Sequence, residues 1–148
     1  MKDFTTFVCY RMKATMKKIE KHIAEFLAQY GVTMTQSFIL FSLLENDGST
    51  LTEIGLRAQI DNSSLTTMVD KLEKEGLVER RLSTQDRRVV TLYLTDKGRK
   101  LAQQVFQAGE SYNDMIAESI HHIENEFYRG LEIISNTLDE EEELRIAK

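Results

Sequence analysis

Arg80, Arg81, Arg87 and Arg88 crowd a short stretch of the chain. Guanidinium groups at that density suit phosphate, with five donors apiece on a fixed planar fork. Just upstream, Ser63, Ser64, Thr66, Thr67 and Lys71 form a hydroxyl-rich run closed by an ammonium group. Hydroxyls can donate to or accept from base edges, and a threonine methyl can meet the methyl of thymine. The chemistry on offer is therefore recognition of a patterned polyanion. Nothing points to catalysis: there is no Ser/His/Asp or Cys/His constellation, no phosphate-cradling glycine loop and no metal-ligand spacing. His121 and His122 are adjacent, so they cannot face the same way on a helix, and they read as isolated surface histidines. No enzyme activity, cofactor or metal is expected.

The elements that must hold these groups follow from periodicity. Thr52 to Ala58 has helical spacing and stops at Ile60-Asp61-Asn62, whose carboxylate and amide can cap the next helix. In that helix, about 62–75, Leu65, Met68, Val69 and Leu72 repeat on one face while the hydroxyls fall on the others. Gly76 is placed to close it in a left-handed conformation. The period then changes to two. Leu77–Leu82 and Val89–Leu94 are β-prone, and the polar segment 83–88 joins them. Two helices followed by a hairpin describe a winged helix, with the second helix suited to a major groove and Arg87 and Arg88 to a minor groove. Gly55 interrupts the first of these helices, where close approach of the second is the expected reason.

Asp86-Arg87-Arg88-Val89-Val90-Thr91-Leu92-Tyr93-Leu94-Thr95 fits the wing signature D-x-R-x5-L-T of the MarR family, and Lys97-Gly98 follows as it does there. Ser63-Ser64-Leu65-Thr66 and Val69 to Val78 resemble that family's recognition helix and its exit. The resemblance implies a mainly α protein with a small β-hairpin wing, in which a winged helix-turn-helix (33–100) is flanked by dimerisation helices (1–30 and 101–148) as one domain, 1–148. It implies a homodimeric transcriptional regulator, a repressor by expectation, on a palindromic operator in double-stranded DNA. Two-fold symmetry would then set the recognition helices on successive major grooves, roughly 34 Å apart. It selects Arg88 over Arg87 for groove insertion and gives Asp86 the role of bracing the wing through an arginine partner.

The flanking segments are long and amphipathic. One helix is expected from about Phe4 to Tyr30, its stripe including Phe7, Val8, Met12, Met16, Ile19, Ile23 and Leu27, with part of its cover supplied by another subunit. Gly31 should close it. Thr33 and Gln36 have capping-box spacing for a helix over 34–45 that buries Phe38, Ile39, Phe41, Leu43 and Leu44. Beyond Thr95 a helix runs to about Ile120, and another from about Glu124 to Leu138 or beyond turns Phe127, Leu131, Ile134 and Leu138 inward, with Asp139–Glu143 as a frayed end. The chain of 148 residues suits one domain with a real core. No stretch is apolar enough for a membrane, no signal pattern opens the chain, and the expected compartment is the reducing cytoplasm. The net charge of −5 conceals a division: residues 51–100 carry ten basic and eight acidic side chains, and 101–148 carry three and eleven. Charge placement, not the total, governs attraction to phosphate.

Two input signals fit. By resemblance, a small aromatic or anionic effector would bind where the dimerisation helices meet the winged helix, near Lys17 and Met34. The alternative is thiol sensing through Cys9, the lone cysteine, placed near the start of the first helix as in the family's organic-hydroperoxide sensors. Those sensors use tyrosines to activate the thiolate, and Ile23 and Met34 stand where such tyrosines are sought, so a buried structural cysteine is the competing expectation. A winged-helix module that binds protein is the remaining reading, and the arginine tip argues against it.

Overall fold

The computed structural model describes residues 2–83, 86 and 88–146. The chain divides into two compact units, residues 1–107 and 108–148.

In the first unit, α1 (Val8–Leu27) is preceded by a 3-10 turn, Phe4–Thr6. The single helix expected from Phe4 is broken because Asp3 accepts the Thr5 amide and Phe7 is extended, with φ −68° and ψ 140°. Gly31 ends this region at φ +70°. The Thr33–Gln36 capping box is present and opens α2 (Met34–Glu45). α2 is apolar around most of its circumference, so periodicity misassigned its faces. Ile39, Leu40 and Leu43 are buried, and Phe38 is exposed, edge-on to Phe41.

The core joins α2 to α3 (Leu51–Ala58), α4 (Asn62–Lys74) and a sheet of three antiparallel strands. β2 (Val78–Leu82) and β3 (Val90–Leu94) form the expected hairpin, with Val78 opposite Leu94 and Leu82 opposite Val90. A short strand that the hydropathy pattern did not suggest, β1 (Ser49–Thr50), adds to β3 in the order β1-β3-β2. Thr50 and Glu53 cap α3 reciprocally. A Cβ on Gly55 would lie 3.1 Å from the Ile60 carbonyl and 3.4 Å from a Leu65 methyl, which accounts for a glycine inside α3. α5 (Asp96–Ile120) begins in this unit, with Ala102 and Val105 buried.

In the second unit, a 3-10 turn over His121–Ile123 precedes α6 (Glu124–Ile146). The acidic run 139–143 is helical, not frayed: glutamate is a good helix former and no glycine or proline interrupts it. α6 buries no residue within the chain, and Phe127, Leu131 and Leu138 are exposed rather than turned into its own core. No described helix is long and apolar enough to cross a membrane.

Candidate nucleic-acid interface

Helix α4, the candidate recognition helix, is fixed at both ends by its own sequence. Asp61 is the N-cap, accepting the Ser64 amide at 2.8 Å. Its second oxygen takes the Ser64 hydroxyl at 2.7 Å, and Ser63 Oγ donates to the first at 2.7 Å. These bonds, led by the Ser64 amide, hold the Asp61 carboxyl far below the usual carboxylate range. At the far end Gly76 adopts φ +71°, its amide donates to the Glu73 carbonyl, and the Leu77 amide donates to the Leu72 carbonyl. That is a Schellman closure, with buried Leu72 and Leu77 as its apolar contact.

Between these caps Leu65, Val69 and Leu72 are buried and Met68 is half-buried. Ser63, Thr66, Thr67 and Lys71 are exposed, with Ser64 half-buried. The threonine hydroxyls turn back onto the helix: Thr66 Oγ1 donates to the Asn62 carbonyl at 2.9 Å and Thr67 Oγ1 to the Ser63 carbonyl at 3.2 Å.

Strand alternation separates the two arginines of β2. Arg80 shares a face with buried Val78 and Leu92, and its guanidinium bonds Asp70 and Glu73 of α4. Burial works against its charge, but these two carboxylates more than offset it and its proton affinity is raised. Arg80 thus fastens the wing to the recognition helix. Arg81 lies on the opposite face, 4.4 Å from the centre of the Tyr93 ring and paired with Glu79, its side chain 58% exposed. Neither Tyr93 nor Glu79 was among the sequence-derived candidates, although the period of two places them beside Arg81.

At the tip, Arg88 donates to Asp86 through Nε at 3.1 Å, Nη2 at 3.0 Å and its own amide at 2.9 Å. The Arg88 guanidinium, foremost among these donors, lowers the Asp86 pKa. The Arg88 side chain remains 90% exposed while paired with Asp86. Arg87 lies outside the described residues.

The lysine-glycine after the wing is explained by packing. Thr95 Oγ1 accepts the Gly98 amide and donates to the Gly76 carbonyl at 2.7 Å, and Lys97 Nζ donates to the Glu75 carbonyl at 2.8 Å. A Cβ on Gly98 would fall 1.8 Å from the Leu77 carbonyl oxygen, so α5 touches the recognition-helix exit backbone to backbone. Asp47 adds a further tie, accepting the Leu94 amide at 2.8 Å and the Arg99 guanidinium. A groove of about 540 Å³ lies beside this joint, lined by Tyr30, Val32, Glu75, Leu77, Lys97 and Leu101 among others. Neither Lys17, exposed on α1, nor Met34, half-buried at the start of α2, lines it. Cys9 is exposed on α1, not buried. Among the described residues no cluster of His, Cys, Asp or Glu could hold a metal ion.

The family model described as "MarR family" matches residues 32–90. The HTH-type transcriptional repressor MdtR of Bacillus subtilis is 38% identical over 87 residues, 59% of this chain and 56% of that protein. The HTH-type transcriptional regulator PrsX of Escherichia coli is 31% identical over 124 residues, 82% of this chain and 73% of that protein. The chain thus spans only about half of MdtR's length. The transcriptional repressor CouR, solved bound to a 23-mer DNA duplex, superposes with a TM-score of 0.80 at 25% identity, over 91% of this chain and 99% of CouR. A wing signature braced from Asp86, a capped hydroxyl-faced helix, a glycine that lets α5 meet that helix, and relatives of this kind agree: the chain belongs to the MarR family.

Proposed function

We propose that the protein is a homodimeric, sequence-specific DNA-binding transcriptional regulator of the cytoplasm that represses at a palindromic operator and is released by a small aromatic or anionic effector. The observation that carries the reading is the pairing, in one compact unit, of an exposed hydroxyl face on α4 with an exposed Arg88 anchored on Asp86 in the hairpin loop. CouR, of matching fold, is a repressor captured on duplex DNA. In this reading Ser63, Ser64, Thr66 and Thr67 meet base edges, Lys71, Arg81 and Arg87 meet phosphates, and Arg88 enters the minor groove. Arg80 reaches the DNA only indirectly, by holding the wing to α4. The dimer is supported by Phe7 just before α1, Val8, Met12 and Met16 on α1, and Phe127, Leu131 and Leu138 on α6, all exposed apolar residues in the single chain. Lys17 and Met34 stay as effector candidates by resemblance alone.

Arg88→Ala tests the reading. Duplex binding followed by fluorescence anisotropy should weaken by about tenfold, with the slope of log K on log salt reduced by roughly one. Unchanged affinity would remove the wing from the interface. The exposure of Cys9 favours a second reading, thiol sensing. Peroxide should then release DNA from the wild type and not from Cys9→Ser.

A further inference from the structure

The hydroxyls on the outer face of α4 have already committed their hydrogens. Ser63 and Ser64 donate to the two oxygens of Asp61, Thr66 to the Asn62 carbonyl and Thr67 to the Ser63 carbonyl. The direction in each pair is forced, because a carbonyl or an ionised carboxylate has no hydrogen to give. Outward, the serines can offer only lone pairs, and the threonines lone pairs and methyl groups. No lysine or arginine occurs between Asn62 and Met68, so the first two turns carry no cation able to pair with the O6 and N7 acceptors of guanine. Asn62 is the neutral amide in the stretch, and asparagine pairs in bidentate fashion with adenine. A G·C pair presents the two adjacent acceptors of guanine, which repel acceptors placed opposite them, and only the cytosine amino group as a donor. An A·T pair also carries two acceptors, but they flank the adenine amino group, which the lone pairs and Asn62 can meet. The pair adds the thymine methyl, which the threonine methyls can meet.

We infer that α4 is an acceptor-and-methyl surface that selects A·T base pairs in the operator half-site and disfavours guanine, with Asp61 setting this preference by holding the serine hydroxyls as acceptors. The inference rests on the DNA-binding reading above. Asp61 acts here as a positioning residue, through Ser63 and Ser64.

The test begins with selection of duplexes from a random pool by the full chain. The winning duplex is then remade with 7-deazaguanine for every guanine, and separately with uracil for every thymine. Each replacement alters only the major-groove edge and leaves base pairing intact. Uracil should weaken binding by about tenfold, and 7-deazaguanine should change it by less than about threefold. The reverse order, or indifference to both replacements, overturns the inference while the DNA-binding reading stands. Failure to select any duplex overturns both. Asp61→Asn supplies the second arm: asparagine keeps an oxygen for the cap but frees the Ser64 hydroxyl hydrogen. Guanine should then enter the selected half-site at unchanged helix content. An unaltered selected sequence would remove Asp61 from the specificity.

Discussion

Gly98→Ala puts the joint between α5 and the recognition helix under direct strain. The added Cβ would lie 1.8 Å from the Leu77 carbonyl oxygen and 2.7 Å from its carbon. Ordinary carbon–oxygen contact is about 3.3 Å, so relief demands a separation of roughly 1.5 Å between two backbones. Neither can yield easily. The same carbonyl accepts the Thr95 amide at 3.1 Å, Leu77 is buried beneath it, and Ala102 is buried one turn further along α5. Overpacking of this kind costs about 1–3 kcal/mol, and a lost hydrogen bond about 1 kcal/mol more. Alanine returns about 1 kcal/mol through helix propensity, leaving a net destabilisation of about 1–3 kcal/mol. For a chain of this size that lowers the melting temperature by about 2–12 °C. The assay is thermal unfolding followed by helical circular dichroism, at matched protein concentration because a dimer's melting point depends on it. Gly109→Ala is the control: nothing lies within 4 Å of its added Cβ, so it should be neutral or stabilise by up to about 1 kcal/mol. A Gly98→Ala protein that melts with the wild type would refute the reasoning.

Arg80→Ala should cost about 1 kcal/mol in urea unfolding, modest because its partners are partly exposed, and should leave the salt slope of DNA binding unchanged. A shallower slope at unaltered stability would instead make Arg80 a phosphate contact. The Asp61 pKa is depressed in the folded chain, so its stabilisation is complete above the unfolded value of about 3.9 and is lost as the pH falls through the folded one. Protection of the Ser64 amide against hydrogen exchange should therefore be constant from pH 8 to about 5, and loss of protection within that window would exclude the cap. Leu131→Glu, on the exposed apolar face of α6, should convert a dimer to monomer in sedimentation, and a persistent dimer would place the interface elsewhere.

Local chemistry was legible in the sequence because it is written in residue type at short range. Thr33 with Gln36, Asp61 before α4, and Gly31 and Gly76 behind their helices all perform the roles their side chains suggest. The mainly helical fold with a hairpin wing follows from the change of period near Gly76. Pairings that close long loops were not legible. Asp47 reads as a turn residue, yet it binds the Leu94 amide and Arg99, contacts only the folded chain creates. The four arginines looked alike as a cluster, and the three described ones differ in place: Arg80 faces α4, Arg81 stacks on Tyr93, and Arg88 rests on Asp86. Alternation along β2 carried part of that distinction, and the acidic partners on α4 supplied the rest. The faces of α2 were illegible because nearly all of them are apolar.

The joint at Gly98 has a mechanical consequence. Thr95 and Lys97 tie the start of α5 to the carbonyls of Gly76 and Glu75 just past the end of α4, and at Gly98 the two backbones touch with no side chain between them. A tilt at the start of α5 would therefore be passed directly to α4. Since 13 residues of helix span about 20 Å, a turn of only about 5° at the joint swings the capped, hydroxyl-bearing end by nearly 2 Å. A hydrogen bond fails over less than that. In the DNA-binding reading proposed above, a small torque on α5 would therefore separate a helix in register with base edges from one held clear of them.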